Sequence, residues 1–312
     1  METINKNRAW RIHGYGGPEV LLLDDIPIPP MASGQVLVQV KAAGVNGFDW
    51  KLQAGYLQRA FPVPMPATLG MELAGIVVQV SPDAKQFRVG DRVMGFIGMG
   101  AYADYVAADE TALCRIPDEL SDVVAASLPV TSQTAWQILH LAGELRSGQK
   151  VLIHGASGGV GGFAVQLAKT AGATVVASAS GRNRDYLLSL GADRVLDRHS
   201  ESFEQHAHGM DLVLDLVGGD LAARSFQVLA PGGTVISLAA FDVAENVPSG
   251  YRGLFYSMRS DSVQLQQLAE SVASGKLKAT IAEVFGLSHY PEASEKNKLG
   301  HAPGKIVLDF SV

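Results

Sequence analysis

The stretch Val151 to Lys169, VLIHGASGGVGGFAVQLAK, constrains the fold more than any other part of the chain. It opens with an apolar, β-type run, Val151-Leu152-Ile153-His154. Glycines follow at Gly155, Gly158, Gly159, Gly161 and Gly162, and then a helical apolar pattern through Phe163, Val165, Leu167 and Ala168. Strand, glycine turn and helix in that order form the setting in which closely spaced glycines bind a dinucleotide. The helix N-terminus offers unpaired amides and a partial positive charge to a pyrophosphate. Glycine lets the backbone approach that group with no Cβ in between. Two registers of the pattern are open, Gly159-Val-Gly161-Gly-Phe-Ala164 and Ala156-Ser-Gly158-Gly-Val-Gly161. The second is preferred, because the turn must begin where the strand ends, near His154. Ser157, Gly158, Gly159 and Val160 then face the pyrophosphate. The alternative is a tight turn that binds nothing.

The next apolar run, Thr174 to Ser180, is followed by Gly181-Arg182-Asn183-Arg184. An NAD site carries a carboxylate at this strand end, about 20 residues past the glycines, to bond the ribose 2′-OH. Here that position is Ser178, which is neutral and would not repel a 2′-phosphate. Arg182, just beyond, has a planar fork suited to phosphate. Ser178, Ser180 and Arg182 therefore point to NADP(H), and Arg184 is read as a solvated loop charge.

A length of 312 residues suggests two domains, at about 150 residues each. With 47% hydrophobic and 18% charged residues the chain can bury a full core, which excludes disorder. The net charge of −6 and the dispersed basic residues argue against nucleic acid as a partner. No apolar run reaches the ~18 residues of a membrane span. The opening METINKNRAWRIHGYGG lacks the apolar core of a signal peptide, so the cytoplasm is expected. Cys114, the single cysteine, excludes a disulfide framework and a cysteine-built structural zinc site.

Residues 1 to about 117 read as short strands with Gly and Pro between them, a small barrel or sandwich. Strands are expected at Trp10–Ile12, Val20–Leu23, Gly34–Lys41, Leu73–Val80, Arg92–Phe96, Ala103–Ala107 and Ala112–Ile116. From Pro117 the period changes. Ser121-Asp122 caps a helix to Leu128, Pro129 interrupts, and a second helix spans Thr131–Ala142. Strands and helices then alternate to a last strand at Leu254–Met258, the pattern of a parallel sheet with helices on both faces. The tail, with a helix at Ser262–Ser274 and a closing strand at Lys305–Phe310, is too short to stand alone and is expected to rejoin the N-terminal β unit.

Several segments together resemble the medium-chain dehydrogenase/reductase superfamily, and more closely its zinc-free quinone oxidoreductase branch. They are Ala43-Gly-Val-Asn46-Gly-Phe-Asp49-Trp-Lys51, Leu69-Gly-Met-Glu72-Leu-Ala-Gly75, Val89-Gly-Asp91-Arg-Val-Met94, Ala125-Ala-Ser-Leu-Pro129 with Thr134-Ala-Trp136, the glycine turn, Leu190-Gly-Ala-Asp193, Asp211-Leu-Val-Leu-Asp215 and Gly304-Lys305-Ile-Val307. The resemblance implies an α/β chain. A GroES-like β domain (residues 1–117 and 261–312) flanks a Rossmann domain with a doubly wound parallel sheet (residues 118–260). It also implies a homodimer, with edge strands near Leu254–Met258 as the expected contact. The zinc enzymes of the superfamily hold catalytic zinc with a Cys and a His, and the matching positions here are Asn46 and Met71. Neither suits zinc, and no metal site is expected. Hydride transfer to an acceptor that is already electrophilic, a quinone or an α,β-unsaturated carbonyl, needs no Lewis acid, because addition gives a resonance-stabilised oxyanion.

The same resemblance supplies candidate residues. Asn46 is placed beside the nicotinamide, or else is a turn residue. Lys51 bonds the acceptor carbonyl or the cofactor ribose and donates the final proton, or else is a solvated lysine. Tyr56 covers the quinone or is an exposed loop aromatic. Thr134 contacts the nicotinamide side or bonds its own backbone at a helix start. Leu238 offers its carbonyl to the carboxamide. Lys305 is a terminal cofactor contact or a surface lysine. Arg198 stands where relatives carry an aromatic near the adenosine. Glu72 and Asp91 are read as bracing turns, and His206 and His208 as solvated. The acceptor is expected to be chosen by the loops near 47–66 and 239–253. Two other readings are an NADPH-binding structural or regulatory protein with little turnover, and an enoyl-thioester reductase.

Overall fold

Short strands dominate the first third of the chain in the computed structural model, which describes residues 6–300 and 303–312. The first five residues, part of the stretch read for a signal sequence, lie outside the described residues. The strands are β1 (Asn7–Ile12), β2 (Leu21–Ile26) and β3 (Gln35–Val45) and, after a helix α1 (Gly47–Gln53), β4 (Ala67–Thr68), β5 (Glu72–Val80), β6 (Arg92–Phe96), β7 (Tyr105–Asp109) and β8 (Leu113–Arg115). Helices α2 (Asp122–Ala126) and α3 (Pro129–Gln137) lead into an alternating series. It comprises β9 (Lys150–His154), α4 (Gly159–Thr170), β10 (Thr174–Ala179), α5 (Arg184–Ser189), β11 (Arg194–Asp197), α6 (Phe203–His206), β12 (Met210–Asp215), α7 (Leu221–Ser225), β13 (Leu229–Ser237) and β14 (Arg252–Phe255). The chain closes with α8 (Ser262–Ala273), β15 (Ile281–Gly286), α9 (Tyr290–Leu299) and β16 (Lys305–Asp309).

The alternating series builds one all-parallel sheet in the order β11-β10-β9-β12-β13-β14. From β9 the chain winds outward through β10 and β11, then crosses back to β12 and winds the other way. The reversal lies between β9 and β12, and ligands of such sheets bind outside the carboxyl ends of the strands at that point. Both faces of the sheet are covered, so its strands are apolar on both sides. Val151, Ile153, Val175, Ala177, Leu212 and Leu214 enter one core, while Leu152, Val176, Leu196, Val213 and Val235 enter another. The N-terminal strands form a three-stranded sheet, β2-β1-β4, and a larger, mainly antiparallel sheet. In the larger one, β16 pairs antiparallel with β3 and parallel with β15. The end of the chain thus returns to its beginning.

Several sequence expectations shift. The first third holds a helix, α1, where the sequence suggested only a turn. The strand expected from Val20 starts at Leu21, after a 3-10 turn at Pro18–Val20. Pro129 does not merely interrupt a helix; it is the first residue of α3, where its missing N–H costs nothing. That helix ends at Gln137, and a π-helical turn, Ile138–Ala142, completes the span read as one helix. The last strand of the parallel sheet is Arg252–Phe255, a little earlier than Leu254–Met258. α8, read with the N-terminal unit, packs Leu265, Leu268 and Ala269 into the core that also holds Val151 and Ile153.

Candidate active site

A cleft of about 750 Å³ opens at the carboxyl ends of β9, β10 and β12, between the parallel sheet and α1. Its floor is the glycine turn. β9 ends at His154, Gly158 is the N-cap of α4, and Ser157, Gly158, Gly159, Val160 and Gly161 all line the cleft. The turn begins where β9 ends, which is the geometry the preferred register assumes. A Cβ on Gly161 would meet the Gly155 carbonyl, so this glycine serves close packing of helix on turn. A Cβ on Gly158 would find only the Gly155 oxygen, at 3.5 Å, which leaves that side open to the cleft. The first amides of α4 have no helical carbonyl to bond. Together they make a cradle that fits a pyrophosphate.

The turn is held from two directions. The Ser178 carbonyl accepts the amides of Gly155 (3.1 Å) and Ala156 (3.2 Å). From the far end of the chain, the Gly304 amide donates to the Ser157 carbonyl at 2.8 Å. Gly304 has φ +96°, and a Cβ there would meet the Thr280 carbonyl, so only glycine fits.

At one end of the cleft Ser178, Ser180, Arg182, Arg198 and His199 line the wall. The Asp197 carboxylate accepts the amides of His199 (3.1 Å) and Gly181, which lowers its pKa and ties the end of β11 to the turn carrying Arg182. Arg184 is not simply solvated: it pairs with Glu201 at 3.2 Å. Below the turn, His154 is buried, and burial pushes its imidazole down to about 4. Its ring stands edge-on to Phe203 at 4.6 Å. The Ser225 hydroxyl spends its hydrogen on the Leu221 carbonyl, so it accepts from His154 Nε2 at 3.1 Å. Asp215, beside His154 in register, accepts the amides of Val217 and Gly218 and the Ser237 hydroxyl (2.7 Å). Ser237 in turn accepts the amides of Ala239 and Ala240. This buried relay sets the loops after β12 and β13, including Leu238, which lines the cleft.

The opposite wall is α1. Asn46 precedes it, and the Asp49 carboxylate accepts the Asn46 amide at 2.9 Å, one half of a capping box. Asp49 also accepts the buried Tyr102 hydroxyl at 2.6 Å. Burial raises the Asp49 carboxyl to about 6, with the Tyr102 and Asn46 hydrogen bonds pulling the other way. Trp50 and Lys51 project from this helix into the cleft lining. The Lys51 ammonium lies 5.6 Å from the Trp50 ring centroid. Burial lowers its pKa, against a weaker opposing pull from Asp215.

Asn46 itself is not among the cleft-lining residues, and its side chain is turned into the protein. Its Oδ1 accepts the Lys305 ammonium, and its Nδ2 donates to Glu72 Oε1 (2.9 Å) and to the Gly44 carbonyl (3.2 Å). That uses both donors of the amide. Lys305 is neither a surface lysine nor part of the cleft lining: it is buried and forms an ion pair with Glu72 at 2.7 Å. The second Glu72 oxygen accepts the Val130 amide of α3 at 2.6 Å. Glu72 thus braces more than a turn, joining α1, α3 and β16. Asp91 does brace a turn, accepting the Arg88 amide and pairing with Arg115 at 2.7 Å.

Two further expected residues fall outside the cleft lining. Tyr56 is 75% exposed and stands edge-on to Trp50, with centroids 6.1 Å apart. Thr134 sits within α3, not at a helix start, and its hydroxyl bonds the Val130 carbonyl at 2.6 Å. His206 closes the one-turn helix α6, and His208 is exposed. The sequence reading missed Trp50, His154 and the α9 end, Lys296–Gly300, as lining residues. Only His154 carried a signal, its place at the strand end before the glycines.

With the geometry in place, comparison gives a consistent answer. Residues 32–118 match the alcohol dehydrogenase GroES-like domain, and residues 190–308 match the zinc-binding dehydrogenase model. Over 96% of its length the chain is 33% identical to 2-methylene-furan-3-one reductase of Solanum lycopersicum, covering 78% of that protein. The quinone oxidoreductase from Coxiella burnetii superposes with a TM-score of 0.92 at 33% identity, over 98% of this chain and 99% of that one. Escherichia coli quinone oxidoreductase complexed with NADPH superposes with a TM-score of 0.88 at 25% identity, over 97% and 99%. The chain belongs to the medium-chain dehydrogenase/reductase superfamily, in its quinone oxidoreductase-like branch. It pairs a GroES-like domain with a Rossmann domain, and it is an oxidoreductase.

Proposed function

We propose that this protein is an NADPH-dependent, zinc-independent oxidoreductase that delivers hydride to quinones or α,β-unsaturated carbonyls. The observation that carries the cofactor reading is the end of the cleft beyond the glycine turn. There a neutral strand end, Ser178, is followed by Ser180, Arg182, Arg198 and His199, and the nearby Asp197 carboxylate is occupied by backbone amides. A 2′-phosphate would meet donors and positive charge there. Ser157, Gly158, Gly159 and Val160 would hold the pyrophosphate, and Leu238 lies where the carboxamide is expected.

Bound in this cleft, the cofactor supplies the hydride. The protein positions the acceptor, excludes water and handles the proton. Lys51 is the group placed for the last task. Its ammonium lines the cleft, and burial makes it a stronger acid than an ordinary lysine, suited to protonating the oxyanion left by hydride addition. Trp50 offers a planar apolar surface to a conjugated acceptor. Zinc independence is supported by chemistry at the two aligned ligand positions. The Asn46 oxygen accepts an ammonium, and Met71 offers only a thioether.

The names of similar proteins support the same acceptor class: one reduces a methylene-furanone, and others are quinone oxidoreductases. The test is cofactor oxidation with NADPH and with NADH against a benzoquinone, a short enone and a simple ketone, with and without EDTA. Chelator-insensitive NADPH turnover with quinone or enone is expected. Preference for NADH would overturn the cofactor reading, and EDTA-sensitive ketone reduction would overturn zinc independence. Tight NADPH binding without turnover would make this a cofactor-holding protein instead.

A further inference from the structure

We infer that Lys51 is a covalent modification site for α,β-unsaturated aldehydes: its amine adds to the β-carbon of an enal that enters the cleft, and the adduct blocks the site. The inference rests on the reading of this cleft as an enone site.

Among the described residues three lysines line the cleft, and two of them are tied to carboxylates. Lys296 pairs with Glu283 at 2.5 Å and Lys298 with Glu295 at 3.3 Å. Among the described residues, no carboxylate pairs with Lys51; its neighbour is the Trp50 ring. A carboxylate partner holds a lysine as ammonium, which has no lone pair to give. Lys51 has no carboxylate paired with it, only the weaker pull of Asp215, and burial adds to its share of free amine. The usual first target of an enal is a cysteine thiolate. The single cysteine of this chain, Cys114, is buried, and burial pushes its thiol up to about 12. The soft competitor is therefore withdrawn; His199 also lines the cleft, but its Nε2 accepts from Arg198 Nε at 3.3 Å, which leaves the Lys51 amine as the best placed nucleophile.

The step balances without a co-reactant. The Lys51 Nζ lone pair forms a bond to the β-carbon, the C=C π pair moves to give the enolate, and the proton leaving nitrogen ends on the α-carbon. Nothing departs, so the protein gains the whole mass of the enal. The β-carbon is also the atom that hydride would reduce. Reduction and alkylation then compete for one electrophilic carbon, and a cofactor-loaded cleft protects itself.

The experiment treats the whole protein with acrolein near neutral pH, without cofactor, and follows it by intact mass and peptide mapping. Most of the first equivalent is expected on Lys51, at the full mass of the aldehyde. Lys51→Arg, checked for an unchanged melt, should lose this early adduct, and added NADPH should slow its formation. Label spread evenly over exposed lysines such as Lys85 and Lys276, or K51R labelled as fast as the parent, would overturn the inference. Turnover is read separately. Labelling without any cofactor oxidation would sink the reading of the cleft as one that reduces activated alkenes and leave the modification site standing. Enal reduction with Lys51 untouched would do the reverse.

Discussion

On the parallel-sheet side of the cleft the exposed wall is mostly backbone: glycines, helix-start amides and the Ser178 carbonyl behind them. On the α1 side the backbone is fixed instead by a buried side-chain cluster, Asn46–Glu72–Lys305 with Asp49–Tyr102 beside it. The first wall tolerates little change in shape. The second tolerates little change in charge, because each of its groups is satisfied only by another that is also out of water.

The sharpest way to break that contrast is to remove one charge from the second wall. Lys305→Met leaves the Glu72 carboxylate buried with a partner missing. A single truncation of such a pair costs about 3–5 kcal/mol. Urea melts should show a loss of that size. Converting Glu72 to Gln in the same chain should recover part of it, since the uncompensated charge goes too. A K305M melt close to the parent would show that water reaches the pair.

Each wall also holds a buried group with a strongly shifted pKa, His154 on the first and Asp49 on the second, and these two respond to pH in opposite senses. His154 has a folded pKa of about 4, below its ordinary 6.5. The unfolded chain binds the extra proton first, so its contribution is present above 6.5 and is lost as pH falls toward 4. Asp49 has a folded pKa of about 6, above its ordinary 3.8. The folded chain binds that proton first, so its contribution is present below 3.8 and is lost as pH rises through 6. At 1.36 kcal/mol per pH unit each gap is worth about 3 kcal/mol, and between pH 4 and 6 the two largely offset. His154→Gln should therefore gain stability relative to the parent, by up to about 3 kcal/mol, as the buffer is taken from pH 7 to pH 4. Asp49→Asn should be penalised less at pH 7 than at pH 4. Parallel melts of both variants across that range test the pair of signs.

Lys51 belongs to the second wall but faces the cleft. Lys51→Met should cut kcat for an enone by about 100-fold, the lower range for a lost general acid, with a smaller change in KM. In the parent, kcat should fall as alkaline pH deprotonates Lys51, at a lower pH than an ordinary lysine would set. A K51M enzyme with the parental pH profile would remove Lys51 from the chemistry.

The contrast between the walls also explains what the sequence disclosed. The glycine turn and its flanking strand and helix lie in one continuous stretch, Lys150 to Thr170, so periodicity and glycine spacing locate them. The neutral strand end at Ser178 follows by counting. The second wall joins residues far apart in the chain: 259 positions separate Asn46 from Lys305, and 26 separate it from Glu72. No local pattern connects them, and a lysine beside a glycine near a chain end looks like surface. α1 was passed over because it is only seven residues long and begins with Gly47, although Asn46 and Asp49 stand at capping-box spacing. Thr134 was misplaced for the opposite reason: its helix starts earlier, at Pro129, and the hydroxyl turns back onto the helix.

The first wall can be tested most finely by placing one methyl group on either side of the same turn. Gly161→Ala drives a Cβ against the Gly155 carbonyl, which is backbone and cannot swing aside. Overpacking of this kind costs about 1–3 kcal/mol, so this variant should melt early whether or not cofactor is present. Gly158→Ala meets nothing closer than 3.5 Å, and its φ of −73° is comfortable for alanine. It should melt as the parent does, yet bind NADPH about tenfold more weakly, a loss of about 1.4 kcal/mol, because the methyl occupies the path of the pyrophosphate. Calorimetric titration alongside the melts separates the two. If G158A binds as tightly as the parent, the open side of the turn is not where the phosphates lie, and the other register, in which Gly159 and Gly161 flank them, becomes the better description of this wall.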